Sequence, residues 1–292
     1  MKVLVLGGMG MLGHKVWQVF CPIFDTWVTV RMNRKNCRRF PFFNPTKIID
    51  NINGNDFESL RVAIEEVQPD VVVNCIGIVK ELKESESAIQ TITINALLPH
   101  WLEDLSVKNG FRIIQISTDC VFSGKRGNYE ENDLPDPYDL YGRTKLLGEI
   151  VGNNSLTIRT SIIGRELQRT IGLLEWFLSQ KGTKIQGYKY AIFSGFTTKV
   201  LADILANIIA EYPNLSGLYH ISSQPISKLE LLSLIKDILH LDVEIEPYEG
   251  LFCDRSLNSS RFLTLTHYQP PSWEEMINEL SNEVEDYNEW RT

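Results

Sequence analysis

The apolar run Lys2-Val3-Leu4-Val5-Leu6 ends in Gly7-Gly8-Met9-Gly10-Met11-Leu12-Gly13 and passes directly into an amphipathic stretch that closes at Phe20. No feature of the chain restricts its fold more. A buried strand that turns through glycines three apart into a helix starts a strand–helix–strand unit, because the helix must cross the sheet before the next parallel strand adds. In this setting Gly7 is expected to make the tight turn. Gly10 would let backbone, including Met11 and Leu12, approach a bound pyrophosphate, and Gly13 would let helix and strand pack closely, with the helix N-terminus facing the phosphates. The competing reading is a tight turn that holds nothing.

The pattern then repeats. Apolar runs at 2–6, 27–31, 47–49, 70–75, 112–117 and 156–160 alternate with helically spaced apolar residues at 10–20, 56–67, 91–108 and 141–151. This alternation predicts an α/β fold with a doubly wound parallel sheet of the Rossmann kind. Beyond Gly164 the regularity loosens: helices at 173–180, 197–211, 227–240 and 273–283, a Tyr- and Gly-containing stretch at 187–196, and a strand at 217–221. The expected organisation is a dinucleotide-binding domain over 1–164 and a smaller C-terminal substrate-binding region over 165–292, with 197–221 packing back on the sheet.

Charge and cysteine content narrow the partners. Thirty-seven acidic against 29 basic side chains give a formal charge of −8, which provides no global footprint for nucleic acid or an anionic membrane. No apolar run approaches the roughly 20 residues of a membrane span, and the N-terminus lacks a secretory pattern. Five cysteines, Cys21, Cys37, Cys75, Cys120 and Cys253, form no CxxC pair, so neither a disulfide framework nor a zinc site is expected. A cytoplasmic protein without nucleic-acid or membrane partners follows.

The GxxGxxG spacing resembles the extended short-chain dehydrogenase/reductase superfamily. After the second predicted strand a carboxylate would accept from a ribose 2′-hydroxyl, whereas cations suit a 2′-phosphate. No acidic residue lies between Thr26 and Asn44, and the strand ends in Arg31, so NADPH is favoured over NADH. Arg34, Lys35, Arg38 and Arg39 read individually as a solvated basic loop. Asp50, after the third strand, either orients the adenine or caps a turn. Cys75, Ile76 and Gly77 close the fourth strand with small residues that let backbone lie along the cofactor.

Tyr141-Gly142-Arg143-Thr144-Lys145 puts a phenol and an ammonium on one helix face, four residues apart. A carbonyl that accepts hydride at carbon needs a proton at oxygen, and a phenol of pKa about 10 donates poorly until a cation stabilises its phenolate. Lys145 is that cation. Thr118, at the end of the fifth predicted strand, would share the substrate oxygen with Tyr141. Asn95, a lone amide on an otherwise apolar helical segment, is expected to support this network through hydrogen bonds.

The run Ser117-Thr118-Asp119-Cys120-Val121-Phe122-Ser123-Gly124, then Glu130, Asp133, Pro137 and Tyr141-Gly142-Arg143-Thr144-Lys145-Leu146-Leu147-Gly148-Glu149, resembles the STDYVFDG…E…D…P…YGKTKLAGE block of the dTDP-4-dehydrorhamnose reductase family. The resemblance implies NADPH-dependent reduction of the C4 ketone of a nucleotide-linked 4-keto-6-deoxyhexose for surface polysaccharide such as lipopolysaccharide. It further implies that Arg255, in Asp254-Arg255-Ser256, pairs with the substrate diphosphate, and that Cys120 and Phe122 line the sugar side.

Several positions depart from the family pattern. Cys120 replaces a Tyr, and the loops at 161–167 and 191–197 differ where sugar and base should sit, so a UDP-linked N-acetylated sugar competes with dTDP-rhamnose chemistry. His14-Lys15 stands where some members carry a Glu for a magnesium-bridged dimer, so no metal is expected; a homodimer remains the expected assembly. Rival readings are an epimerase or dehydratase of the same superfamily, and a non-catalytic regulatory subunit such as the related β-subunit of methionine adenosyltransferase.

Overall fold

A computed structural model describes residues 1–80 and 87–291. Its strands begin with β1 Lys2–Leu6, β2 Asp25–Thr29, β3 Ile48–Ile49, β4 Val71–Asn74, β5 Arg112–Ile116 and β6 Ser155–Arg159. They continue with β7 Ile162–Ile163, β8 Thr183–Phe193, β9 Phe196–Thr197, β10 Gly217–His220, β11 Ile226–Ser227 and β12 Val243–Asp254. The helices of the sheet region are α1 Gly13–Phe20, α2 Phe57–Val67, α3 Ala88–Ile92, α4 Leu98–Asn109 and α5 Leu140–Leu147. Those that follow are α6 Leu173–Leu178, α7 Thr198–Glu211, α8 Lys228–Ile238, α9 Ser260–Thr266, α10 Trp273–Ser281 and α11 Val284–Arg291.

Two compact units share the chain. The first comprises Met1–Ser117, Asp139–Ile158 and Leu201–Leu218; the second comprises Thr118–Tyr138, Arg159–Val200 and Tyr219–Thr292. The sequence suggests a boundary at residue 164 with 197–221 returning to the sheet; the first unit does take in Leu201–Leu218, and Thr118–Tyr138 belongs to the second.

The first unit carries the seven-stranded sheet, in the order β10-β6-β5-β4-β1-β2-β3, with parallel register at every pair from β6 to β3. This is the doubly wound α/β arrangement the sequence predicts. Strand alternation sends Leu4, Leu6, Val72 and Ile113 to one face, where they join Leu60, Ile64 and Val67 of α2 and Leu98, Leu102 and Leu105 of α4 in a single buried cluster. The direction of winding reverses between β1 and β4, and the crevice outside the strand ends at such a reversal is where open α/β sheets bind ligands. The glycine turn sits there.

Two local differences from the sequence expectation have physical causes. The predicted helix 91–108 starts earlier and is interrupted by a π turn at Thr93–Leu97, which a periodicity count reads as ordinary helix. The stretch at 187–196 belongs largely to β8, an eleven-residue strand. In the second unit β8 pairs antiparallel with β11 and parallel with β12, while β7 and β9 form a separate parallel pair. Helix α8 lies close on this sheet: a Cβ at Gly187 would come within 2.5 Å of Leu229. Both α8 and α10 open with full capping boxes, Ser227 with Glu230 and Ser272 with Glu275.

Candidate functional site

Within the first unit the glycine turn shows three distinct requirements. Gly7 has a φ of +84°, the left-handed conformation that costs a side-chain-bearing residue free energy. At Gly13 a Cβ would stand 2.2 Å from the Gly7 carbonyl oxygen, so helix α1 rests directly on the turn. Gly10 differs. There a Cβ would meet the Gly7 carbonyl oxygen at 3.3 Å, a tight contact, and the Cys75 carbonyl oxygen at 3.9 Å, so the crowding is far milder than at Gly13. Gly8, which sequence reasoning does not single out, would drive a Cβ to 2.1 Å from Val28 of β2. Gly13→Ala is therefore expected to destabilise the protein by about 1–3 kcal/mol, whereas Gly10→Ala should stay within about 1 kcal/mol of wild type. Urea unfolding midpoints of the two variants check this, and equal midpoints would contradict it.

Around the turn, Cys75 continues the β1–β4 ladder by donating its N–H to Leu6 O at 3.1 Å, and Ile76 N–H is held by Asn74 Oδ1 at 3.1 Å. Burial pushes the Cys75 thiol up to about 12, against the pull of Lys145, so it stays protonated and is no nucleophile. Gly77 is open: a Cβ at this position would have only Asn95 Oδ1 nearby, at 3.6 Å. Arg31 is exposed after β2. Asp50 does not stand open: its carboxylate accepts from Arg34 N–H at 3.0 Å, Nε at 3.0 Å and Nη2 at 2.8 Å. Both of its oxygens are engaged by one residue. His14, buried in α1, directs Nδ1 at the Gly10 carbonyl at 2.7 Å.

Helix α5 presents Tyr141 and Lys145. Asp139 caps it by accepting from Gly142 N–H at 2.7 Å. Lys145 is buried, with 7% of its surface exposed, and its Nζ donates to Ile116 O at the end of β5 at 2.6 Å. Burial draws its ammonium down to about 8, while the charge of Glu149 opposes the fall. Glu149 is itself held by Ser117 Oγ, which donates to Oε1 at 2.7 Å.

Asn95 occupies the middle of the π turn. Its Oδ1 accepts from Ile78 N–H at 2.9 Å, and its Nδ2 donates to Ile78 O at 2.8 Å and to Thr144 Oγ1 at 3.4 Å. One side chain thus ties the segment after β4 to the helix that carries Tyr141 and Lys145. Gly148 completes this joint, because a Cβ there would fall 1.9 Å from Asn95 O.

The second unit holds Thr118, Cys120, Phe122 and Arg255. Thr118 Oγ1 donates to Asp119 Oδ1 at 3.1 Å and accepts from Cys120 N–H at 3.1 Å. Asp119 is buried, and desolvation raises its carboxyl above the usual range despite the nearby Arg255. Arg255 is 9% exposed; Nε donates to Phe122 O at 2.9 Å, Nη1 lies 3.5 Å from Cys120 Sγ, and the guanidinium sits 5.3 Å from the Tyr138 ring centre.

For Phe122 the sequence expectation needs correcting. Its ring is fully buried, stacked on Tyr129 at 4.1 Å with an interplanar angle of 6°, edge-on to His220 at 5.8 Å and beneath Arg159 at 5.2 Å. It offers its carbonyl to Arg255 and no ring surface to a sugar. His220 in this cluster is neutral: burial and the Arg159 charge pull it down to about 4. Its Nδ1 donates to Tyr129 O at 3.0 Å, leaving Nε2 to accept from Arg159 Nη1 at 3.2 Å.

Comparison with known proteins bears on this arrangement. The family model described as RmlD substrate binding domain matches residues 1–285. The chain belongs to that family, the dTDP-4-dehydrorhamnose reductases of the extended short-chain dehydrogenase/reductase superfamily. Methionine adenosyltransferase 2 subunit beta of Danio rerio is 33% identical over 149 residues, which span 51% of this chain and 42% of that protein. The spore coat polysaccharide biosynthesis protein SpsK of Bacillus subtilis is 28% identical over 250 residues, 80% of this chain and 86% of its own length. Among solved structures, the Bacillus anthracis dTDP-4-dehydrorhamnose reductase in complex with NADP superposes with a TM-score of 0.78 at 21% identity, covering 97% of this chain and 99% of that one. That likeness speaks for the fold. Among the described residues no helix is long and apolar enough to cross a membrane.

Proposed function

We propose that the protein is an NADPH-dependent reductase of the C4 ketone of a nucleotide-linked 4-keto-6-deoxyhexose, acting in the cytoplasm in surface-polysaccharide synthesis. One observation carries this reading: a buried ammonium, Lys145, fixed to the end of β5 on the same helix as Tyr141. A structural lysine has no reason to be drawn into a desolvated position at a strand end, whereas a group that must stabilise a phenolate does. Membership of the reductase family supports a nucleotide-sugar substrate, and the likeness to SpsK supports polysaccharide synthesis.

The residues fit a dinucleotide. Gly7, Gly10, Met11, Leu12 and Gly13 would hold its pyrophosphate, with the side-chain-free backbone at Gly10, where a Cβ would meet only two carbonyl oxygens, as the fitting observation; Cys75, Ile76 and Gly77 would lie along it. When bound, the nicotinamide supplies hydride to the sugar carbon. Tyr141 Oη gives the proton to the ketone oxygen, and Lys145 Nζ holds the resulting phenolate. Asn95 positions the helix that carries both. Thr118, two residues past the end of β5, keeps the role of a second hydroxyl toward the substrate oxygen. Arg255, nine-tenths buried and held through Nε by a neutral carbonyl, is assigned to the diphosphate, and Cys120 beside it to the sugar side.

NADPH oxidation followed by absorbance tests the reading. The panel is dTDP- and UDP-linked 4-keto-6-deoxy sugars, with and without C2 acetamido groups, and the proteins are wild type and Tyr141→Phe. Turnover of one donor, lost by about 100-fold or more in the variant, is the expected result. Cofactor binding without oxidation of any donor would reject it. A second reading, a non-catalytic regulatory subunit, is favoured by the likeness to methionine adenosyltransferase 2 subunit beta; it expects Tyr141→Phe to leave the biological effect unchanged.

A further inference from the structure

In the second unit the Thr118 hydroxyl sits between two neighbours of its own chain. Oγ1 accepts from Cys120 N–H at 3.1 Å and lies 3.1 Å from Asp119 Oδ1. A hydroxyl has one proton to give and two lone pairs. Cys120 N–H takes one pair, so what Thr118 offers to a substrate depends on which oxygen owns the proton of the Asp119 contact. With Asp119 ionised, Thr118 spends its only proton there and keeps one lone pair, which a ketone oxygen, itself an acceptor, cannot use. With Asp119 as the neutral acid, the carboxyl O–H donates to Thr118, both lone pairs are filled, and the Thr118 proton is free.

The surroundings of Asp119 favour the acid. Its side chain is buried, 8% exposed, and the donors that reach the carboxyl are the Thr118 hydroxyl and the Cys120 thiol, the second a weak one. A buried carboxylate is normally held by N–H donors or a paired cation. Arg255 instead gives Nε to Phe122 O at 2.9 Å and brings Nη1 to 3.5 Å from Cys120 Sγ. Arg255 and Lys228, the first residue of α8, act on Asp119 through charge and favour the anion, but desolvation outweighs both. The backbone fixes the geometry. Thr118 caps the 3₁₀ turn Asp119–Val121, Asp119 N–H donates to Thr160 O at 3.2 Å, and Phe122 N–H closes the turn on Asp119 O at 3.0 Å.

We infer that Asp119 is a positioning residue for the reduction: its carboxyl donates its own proton to Thr118 Oγ1 and so turns the Thr118 hydroxyl into a donor toward the ketone oxygen. This deepens the proposed function and rests on the role given there to Thr118. Asp119 acts through its neighbour and keeps its proton throughout. A merely structural aspartate would serve equally well ionised, and Thr118 would then be an acceptor only.

The state of Asp119 is read without substrate. Infrared difference spectra near neutral pH compare wild type with Asp119→Asn and Thr118→Val, with thermal midpoints confirming that each variant is folded. Wild type is expected to show the C=O stretch of a buried protonated carboxyl, absent from Asp119→Asn and moved to higher frequency in Thr118→Val, where the acid has lost its acceptor. Should Asp119→Asn not fold, the shift in Thr118→Val decides alone. Turnover then reads the consequence. Asp119→Asn, whose amide N–H replaces the acid as donor to Thr118, should exceed Asp119→Ala about tenfold, the scale of one neutral hydrogen bond. Wild type without the band, a band that Thr118→Val leaves in place, or equal losses in Asp119→Asn and Asp119→Ala overturns the inference while the reductase reading stands. No oxidation of any donor by wild type rejects the reductase reading and this role with it, whatever the spectrum shows.

Discussion

Lys145→Met is expected to lower turnover about 100-fold or more while leaving the unfolding midpoint unchanged or raised. The loss follows from removing the cation bonded at the end of β5, without which Tyr141 must form its phenolate unaided. The stability side follows from the same burial. Lysine holds its proton to about 10.5 in the unfolded chain but only to about 8 here. Between those values the unfolded state binds more protons, so stability rises with pH through that window and the penalty for burying the ammonium is fully present below it. Methionine removes the penalty, and Ile116 O keeps a second donor, Gln115 Nε2 at 3.2 Å. In wild type, kcat/KM should fall as pH climbs through about 8 while the urea midpoint climbs. A kcat/KM that stays flat to about pH 10, or a variant that is both active and unstable, would contradict this assignment.

Glu175→Gln is expected to cost about 3–5 kcal/mol, because it leaves a charged guanidinium buried without its counter-ion. Arg165 and Glu175 are 1% and 2% exposed, with Nε to Oε1 at 2.8 Å. The same Oε1 accepts from Glu166 N–H at 2.9 Å, and Glu166 Oε2 in turn accepts from Ile171 and Gly172 N–H, each at 2.9 Å. Arg165 also donates to Val284 O at 3.0 Å and to Asn288 Oδ1 at 3.1 Å, and lies over Tyr287, so it anchors α11. Replacing both partners with methionine should recover at least half of the loss, since two apolar side chains carry no desolvation penalty. Urea titrations of the single and double variants decide it; a single variant within about 1 kcal/mol of wild type would show that the pair is dispensable.

The first six strands are legible because each is a short apolar run bounded by polar residues and followed by helically spaced apolar positions. Their ends move by one or two residues: the strand expected at 27–31 runs Asp25–Thr29. The second unit is less legible. β12 reads Val-Glu-Ile-Glu-Pro-Tyr-Glu-Gly-Leu-Phe-Cys-Asp, whose Pro247 and Gly250 look like breakers, and its parallel partner β8 lies some sixty positions away. An edge strand tolerates proline, and no local signal announces a partner so distant. The candidate site divides in the same way. Gly7, Gly13, Tyr141 and Lys145 are visible because their spacing is local. The Asn95 joint depends on a π turn that has the apolar pattern of any helix, and the Arg34–Asp50 ion pair depends on β2–β3 register. Phe122 misleads because an aromatic beside a substrate motif looks like a lining residue, whereas its ring fills the stack with Tyr129 and His220.

The interleaving of the two units has a consequence for how the polypeptide is made. Neither unit is complete when its first strands have left the ribosome: the sheet edge at β6 waits for β10, and Arg112, on β5, waits for its acceptors Ile208 O and Leu215 O. At roughly 5–20 residues per second of synthesis, the nascent sheet spends several seconds with an open edge of unpaired amides. A released fragment ending near residue 164 should therefore expose the β6 edge and aggregate more readily than the full chain.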